Sequence, residues 1–126
     1  MTEEATTETV LIIEDDDQIA YLLTFMLERE GYTVVGATDG QIAHDLINKI
    51  DPPKLILLDV MLPFIDGFDL IKLIRNKPDW RELPVIMLSA KSQENDIVQA
   101  LDAGANDYVV KPFQPMELLA RIKRHL

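Results

Sequence analysis

Residues 55–63 read Leu-Ile-Leu-Leu-Asp-Val-Met-Leu-Pro. Four apolar residues in a row describe a strand covered on both faces, the usual state of a central strand in a parallel sheet. The run stops on a carboxylate, Asp59. In open α/β sheets ligands bind outside the carboxyl ends of the strands. A carboxylate without a partner rarely ends a buried strand, because burying an unpaired charge is costly. Asp59 is therefore the first candidate for chemistry, as a nucleophile that accepts a phosphoryl group.

The flanking segments fit one architecture. Val10 to Ile13 is a second buried strand, and it runs into Glu14-Asp15-Asp16-Asp17. Ile19, Leu22, Leu23, Met26 and Leu27 follow at helical spacing, with Asp17 as the expected N-cap and Gly31 as a left-handed stop. Thr33 to Ala37 is a weaker strand. Asp39-Gly40 opens a helix with Ile42, Ala43, Leu46, Ile47 and Ile50 on its apolar face, and Asp51-Pro52-Pro53 is expected to end it. After Asp59 a loop closes on Asp66-Gly67, and a helix carries Leu70, Ile71 and Ile74. Lys77 to Leu83 is a polar connection whose Trp80 is expected to cover a helix end. Pro84 to Leu88 is a buried strand ending on Ser89. A helix over Glu94–Ala103 is expected to bury Ile97, Val98 and Leu101, with Gly104 as its cap. Asp107 to Val110 forms the last strand and ends on Lys111-Pro112. Pro115 opens a final helix with Leu118, Leu119 and Ile122 inward, Gln114 as a mediocre N-cap and Glu117 as partial compensation.

Strand and helix thus alternate five times, which predicts a parallel sheet with helices on both faces. The expected fold is flavodoxin-like, a doubly wound (βα)5 sandwich with strand order 2-1-3-4-5 and a crevice between the first and third strands. Residues 1–8 are polar and lack periodicity, predicting a flexible leader; residues 9–126 make one domain. A net charge of −10 disfavours direct binding to nucleic acid or anionic membranes. With no cysteine, disulfides and thiolate metal sites are excluded, as suits a reducing compartment. No apolar run approaches the ~18 residues of a membrane span, and no signal peptide appears. A soluble, cytoplasmic protein is expected.

Four strands end on polar groups: Glu14-Asp15, Asp59, Ser89 and Lys111. A parallel sheet brings all four ends to one edge. Carboxylates gathered there repel unless a cation joins them, and hard oxygen ligands favour Mg²⁺. With Asp59 as nucleophile, the metal, the Ser89 hydroxyl and Lys111 supply one partner for each phosphoryl oxygen. Singly, each residue has a plainer explanation: an acidic helix entry, a turn serine, a surface lysine. Four coincident strand ends are harder to explain that way.

The stretches VLIIEDD, LLDVMLPFIDG, PVIMLSA and GANDYVVKPF, in this order and spacing, resemble the receiver domain of two-component response regulators, from about Thr9 to the C-terminus. The resemblance implies that Asp59 is the phosphoacceptor. It implies that Asp15 ligates Mg²⁺ directly, Glu14 acts mainly through water, and the Met61 backbone carbonyl completes the ligands. Ser89 and Tyr108 match the switch pair, Lys111 the family lysine, and the Lys111–Pro112 peptide is expected to be cis. Met61 and Lys91 stand where the family tunes dephosphorylation. The implied donor is a sensor histidine kinase or a histidine phosphotransfer protein. Such a domain is not an enzyme acting on other molecules; it promotes only its own phosphorylation and dephosphorylation. Phosphorylation would reshape the face formed by the fourth helix, fifth strand and fifth helix. This face looks most like that of the OmpR-type subfamily, which dimerises through charge pairs. Asp102, Asp107, Glu117, Arg121 and Lys123 would supply several of them, although Ile97 stands where that subfamily usually has Arg.

His44 and His125 have no ligand-like neighbours in sequence, and Met61, Met87 and Met116 are taken as packing residues. Phe64 and Phe113 flank the crevice. Two alternatives remain: a pseudo-receiver that binds proteins without being phosphorylated, and an Asp-nucleophile phosphatase. The phosphatase family carries a second Asp two residues after the first, where this chain has Met61.

Overall fold

A computed structural model describes residues 8–126, so all of the expected leader except Glu8 lies outside the described residues. Ten elements alternate: β1 (Thr9–Ile13), α1 (Asp17–Arg29), β2 (Thr33–Ala37), α2 (Gly40–Ile47), β3 (Leu55–Asp59), α3 (Gly67–Asn76), β4 (Val85–Ser89), α4 (Glu94–Ala103), β5 (Asp107–Val110) and α5 (Pro115–Arg124). The sheet is parallel throughout, in the order β2-β1-β3-β4-β5. This is the flavodoxin-like arrangement that the sequence predicts.

Side chains of successive strand residues point to opposite faces, and each face has its own core. Leu11, Ile13, Ile56, Leu58, Val85 and Met87 pack with Ala43 and Ile47 of α2, Leu70, Ile71 and Ile74 of α3, and Ala100 of α4. Val10, Ile12, Leu55, Leu57, Ile86 and Leu88 meet Leu23 and Leu27 of α1 and Leu118 and Ile122 of α5. β3 is buried along its whole length. Its uninterrupted apolar run follows from lying mid-sheet between two helical layers.

Several helix details depart from expectation. The N-cap of α1 is Asp16, whose carboxylate accepts from the N–H groups of Gln18 and Ile19, so Asp17 is the first helical residue. Gly31 (φ +95°) closes α1 as expected: Gly31 N–H reaches Glu28 O and Tyr32 N–H reaches Leu27 O, the paired bonds of a Schellman cap. α2 ends at Ile47 with Asn48 as its C-cap, before the prolines are reached. Leu22 of α1 and Ile42 of α2 are exposed, and so are Val98 (47%) and Leu101 (45%) of α4, where only Ala100 is fully buried. Helical spacing alone marks these four as inward, but each helix covers a narrower strip of sheet than its apolar arc. Met61 and Met116 are likewise exposed, whereas Met87 is buried. Trp80 follows the end of α3 and is buried in the core, 1% exposed. Glu117 gives no help at the cap of α5; it pairs with Arg121.

Two polar networks tie the layers together. The Arg75 guanidinium, at the end of α3, donates to Gly104 O (2.7 and 3.1 Å), Leu83 O (2.6 Å), Arg81 O (2.9 Å) and Asn106 Oδ1 (2.8 Å). It therefore clamps the α3–β4 connection to the α4–β5 turn. On the other side, Asp107 pairs with Arg121 (3.1 Å) and His125 (3.4 Å) and accepts its neighbour Tyr108's N–H at 2.8 Å. Burial pushes the Asp107 carboxyl up, but these hydrogen bonds outweigh it and leave the group below its ordinary value.

Arg75→Ala should lower unfolding stability by about 2–3 kcal/mol, measured by urea denaturation, because a charge-assisted network is lost and its acceptors are left bare. Arg75→Lys should recover little, since an ammonium cannot reproduce the fork. Asp107 has a depressed folded-state pKa, so its contribution is complete above the unfolded value of about 4 and is lost as pH falls through the folded value. Asp107→Asn should accordingly flatten the fall in stability on the acid side of about pH 4, read from urea midpoints across a pH series.

Candidate functional site

The register of the sheet builds the site. Ile13 lies beside Leu58, so Glu14 arrives next to Asp59; Asp59 pairs with Leu88, which puts Ser89 one step further along; Ser89 pairs with Val110, and Lys111 follows. The ladder continues past the strands through Val60 N–H to Leu88 O (3.1 Å) and Lys111 N–H to Ser89 O (2.8 Å). Glu14, Asp59 and Ser89 are the buried polar residues of the described chain, at 1%, 4% and 1% exposure.

Lys111 reaches across this edge. Its ammonium lies 2.8 Å from Glu14 Oε1 and 3.1 Å from Asp59 Oδ2, the latter contact joining residues 52 apart in sequence. Asp59 Oδ1 accepts the Met61 N–H at 3.0 Å, and Glu14 Oε2 accepts the Asp16 N–H at 3.1 Å. Carboxylate oxygens of Glu14, Asp15 and Asp59 lie within 4.8 Å of one another.

Three acids crowd one ammonium, and the ionisation of Glu14 and Asp15 reflects it. Burial pushes the Glu14 carboxyl up to about 7, against the lowering effect of Lys111 and the Asp16 N–H, and the Asp59 charge adds to the rise. Asp15 is also raised, by burial and then by the neighbouring Asp59 carboxylate. Burial alone would lower Lys111, but its bonds to Glu14 and Asp59 outweigh this and hold it above its ordinary value. Glu14 Oε1 is close to the ammonium yet poorly aligned with it. It has no hydrogen-bond partner among the described residues. A buried oxygen held only by an ion pair, within a surplus of carboxylates, fits a hard divalent cation.

The Ser89 hydroxyl oxygen accepts the Lys91 N–H at 3.1 Å, which leaves its own proton free to donate. The Lys91 carbonyl in turn accepts the Tyr108 hydroxyl at 2.8 Å. Tyr108 is seated inward, 9% exposed, on the face of the sheet covered by α2, α3 and α4. Ser89 and Tyr108, expected from sequence to act as a pair, are therefore bridged by one peptide unit on each side of Lys91. The Lys111–Pro112 peptide is cis.

A cleft of about 450 Å³ opens beside the acids, lined by Asp15, Val60, Met61, Leu62, Pro63, Asp66, Phe68 and Lys91. Sequence reasoning missed Asp66 and Phe68 as lining residues. Asp66 caps α3 through the Asp69 N–H (3.0 Å), and the Asp-Gly pair is legible in the sequence only as a helix start. Phe64 is 84% exposed, whereas Phe113 packs partly buried beside α5. His44 stands half-exposed beside Asp45 on α2, apart from the acids, and His125 sits against Asp107. The five residues expected at a dimer face are only partly free: Arg121 is held by Asp107 and Glu117, and Lys123 by Glu30, the C-cap of α1, at 2.9 Å, while Asp102 is exposed.

Comparison with known proteins accounts for this arrangement. The family described as response regulator receiver domain matches residues 10–123. The receiver domain of the Francisella response regulator 1452 is 34% identical with a TM-score of 0.86, over 94% of this chain and 96% of that one. The chemotaxis response regulator CheY4 of Vibrio cholerae is 30% identical with a TM-score of 0.89, over 96% and 100%. The beryllofluoride-activated N-terminal receiver domain of Klebsiella pneumoniae RstA is 31% identical with a TM-score of 0.84, over 93% and 97%. Sequence, fold and the carboxyl-edge cluster agree: the chain belongs to the response regulator receiver domain family.

Proposed function

We propose that this chain is a phosphorylation-operated switch. Asp59 accepts a phosphoryl group from a phosphohistidine, carried by a sensor histidine kinase or a histidine phosphotransfer protein. A carboxylate oxygen of Asp59 forms the new P–O bond, and the P–N bond to the donor imidazole breaks with the electron pair leaving on nitrogen. The observation that carries this reading is the single buried carboxylate at the end of β3, paired at 3.1 Å with Lys111 and flanked by two more acids.

Asp15, Asp59 and the Met61 carbonyl would hold Mg²⁺ directly, with Glu14 acting through water. When bound, the ion neutralises charge on the incoming phosphoryl oxygens. Lys111 is placed to stabilise a second oxygen. The Ser89 hydroxyl, with its acceptor side occupied by Lys91, is poised to donate to a third. Drawing Ser89 toward the phosphoryl group pulls on Lys91 and thereby on the Tyr108 hydroxyl. The α4-β5-α5 face would then shift its population between two settings. Solved receiver domains in this family include beryllofluoride-activated examples, consistent with an activatable fold.

The same face would join two copies in the active state, in the manner of the OmpR-type subfamily. Exposed Val98 and Leu101 supply apolar area there. Arg121 and Lys123 would have to exchange their present partners within the chain for partners across the interface. No helix of the described residues is long and apolar enough to cross a membrane.

Incubation with acetyl phosphate and Mg²⁺ should add one phosphoryl group by intact mass, and Asp59→Asn should abolish the addition. No added mass would remove the central claim and leave the protein-binding pseudo-receiver; addition that survives the substitution would remove Asp59 as the acceptor. Sedimentation of the beryllofluoride-treated chain should show a dimer that Leu101→Asp weakens; a monomer at every concentration would count against the dimer face.

A further inference from the structure

Pro63, Phe64 and Ile65 make a tight turn in the loop after β3. The Ile65 N–H donates to Pro63 O at 2.9 Å across Phe64, whose φ is +73°. A γ-turn with positive φ at its centre is rare and strained, and a non-glycine residue stays in it only where the surroundings hold it there. The Phe64 side chain does not supply that hold, since it is 84% exposed.

The hold comes from α2. The Gly40 N–H donates to the same Pro63 O, at 3.1 Å. Gly40 lies so close to the turn that a Cβ there would overlap Ile65 O and stand 2.7 Å from both the carbonyl carbon and the Cβ of Ile65. Its φ is not in the left-handed region, so the glycine answers to space and not to conformation. The near end of the loop is pinned too: the Gly67 N–H donates to Val60 O at 2.9 Å, and a Cβ on Gly67 would come 2.6 Å from Asp59 O. Met61 and the cleft wall lie between these two pins.

We infer that Gly40 is a positioning residue for the metal-binding end of β3. The first turn of α2 holds the strained Pro63–Ile65 turn and so fixes the loop that carries the Met61 carbonyl. This inference rests on the metal site proposed above for Glu14, Asp15 and Asp59. A methyl group at Gly40 meets backbone atoms, which cannot rotate aside as a flexible side chain would, so the loop itself must move.

Mg²⁺ titration by calorimetry on the unaltered chain and on Gly40→Ala, with thermal unfolding of each, tests the role. The dissociation constant should rise about tenfold or more in Gly40→Ala, the usual scale for losing support behind a metal ligand. Ile47→Val, a core truncation in the same helix, should lower Tm and leave Mg²⁺ affinity unchanged. Equal affinity in folded Gly40→Ala and the unaltered chain overturns the positioning role alone. No Mg²⁺ binding by the unaltered chain overturns the metal site, and this inference with it. Should Gly40→Ala fail to fold, amide exchange in the unaltered chain decides. Protection at Gly40 and Ile65 that deepens on adding Mg²⁺ supports the clamp; rapid exchange, or protection indifferent to Mg²⁺, overturns it.

Discussion

One ammonium facing three carboxylates sets the terms at the carboxyl edge of this sheet. Lys111 is the cation that makes Glu14 and Asp59 tolerable at 1% and 4% exposure, and it meets both within 3.1 Å. Neither acid could be buried there alone, because desolvation of an unpaired carboxylate exceeds what local packing returns. The pairing is incomplete all the same. Glu14 is raised to about 7, and its Oε1 has the shared ammonium as its one partner, so the cluster is still short of positive charge. That imbalance fits a hard divalent cation, and it is the setting in which the proposed phosphoryl transfer to Asp59 would take place.

The sheet supplies what the charges cannot, which is fixed spacing. Parallel pairing sets Glu14 beside Asp59, then Ser89 and Lys111 in successive steps, and two apolar layers prevent any strand from sliding. A register slip of one residue would turn every core side chain to the wrong face. Placement of the polar groups at this edge is thus inherited from the burial of Leu57, Leu58, Met87 and Leu88.

The strands and strand ends are legible in the sequence because each is a short apolar run stopped by a polar group. That pattern marks Glu14, Asp59, Ser89 and Lys111 by residue type and position alone. Helix faces are less legible. Spacing shows that Val98 and Leu101 share a side of α4, but not how much of that side the sheet can cover. Asp16 and Asp17 are equally good caps on paper, and the folded chain gives the role to Asp16, whose carboxylate reaches the Gln18 and Ile19 N–H groups. Least legible are contacts made by backbone. The Arg75 acceptors are nearly all carbonyls, and Gly40 is defined by the atoms for which it makes room; neither leaves a mark in residue type. Asp66-Gly67 and Asp39-Gly40 look alike as helix starts, yet one closes on Asp59 and the other on Ile65.

The shallow seat of α4 has a thermodynamic consequence. With Ala100 as its only fully buried residue and Gly104 tied to Arg75, the helix is anchored at one end, and its other end follows Lys91. If the proposed switch moves this helix, its alternative positions would lie close in free energy. Under the proposed switch, any molecule that grips Val98 and Leu101 in one of those positions would act on the same equilibrium as phosphorylation of Asp59. Linkage then requires reciprocity: whatever factor phosphorylation adds to the affinity of such a binder, the binder adds to the stability of the phosphorylated form. The listener on α4 would share in setting the state that it hears.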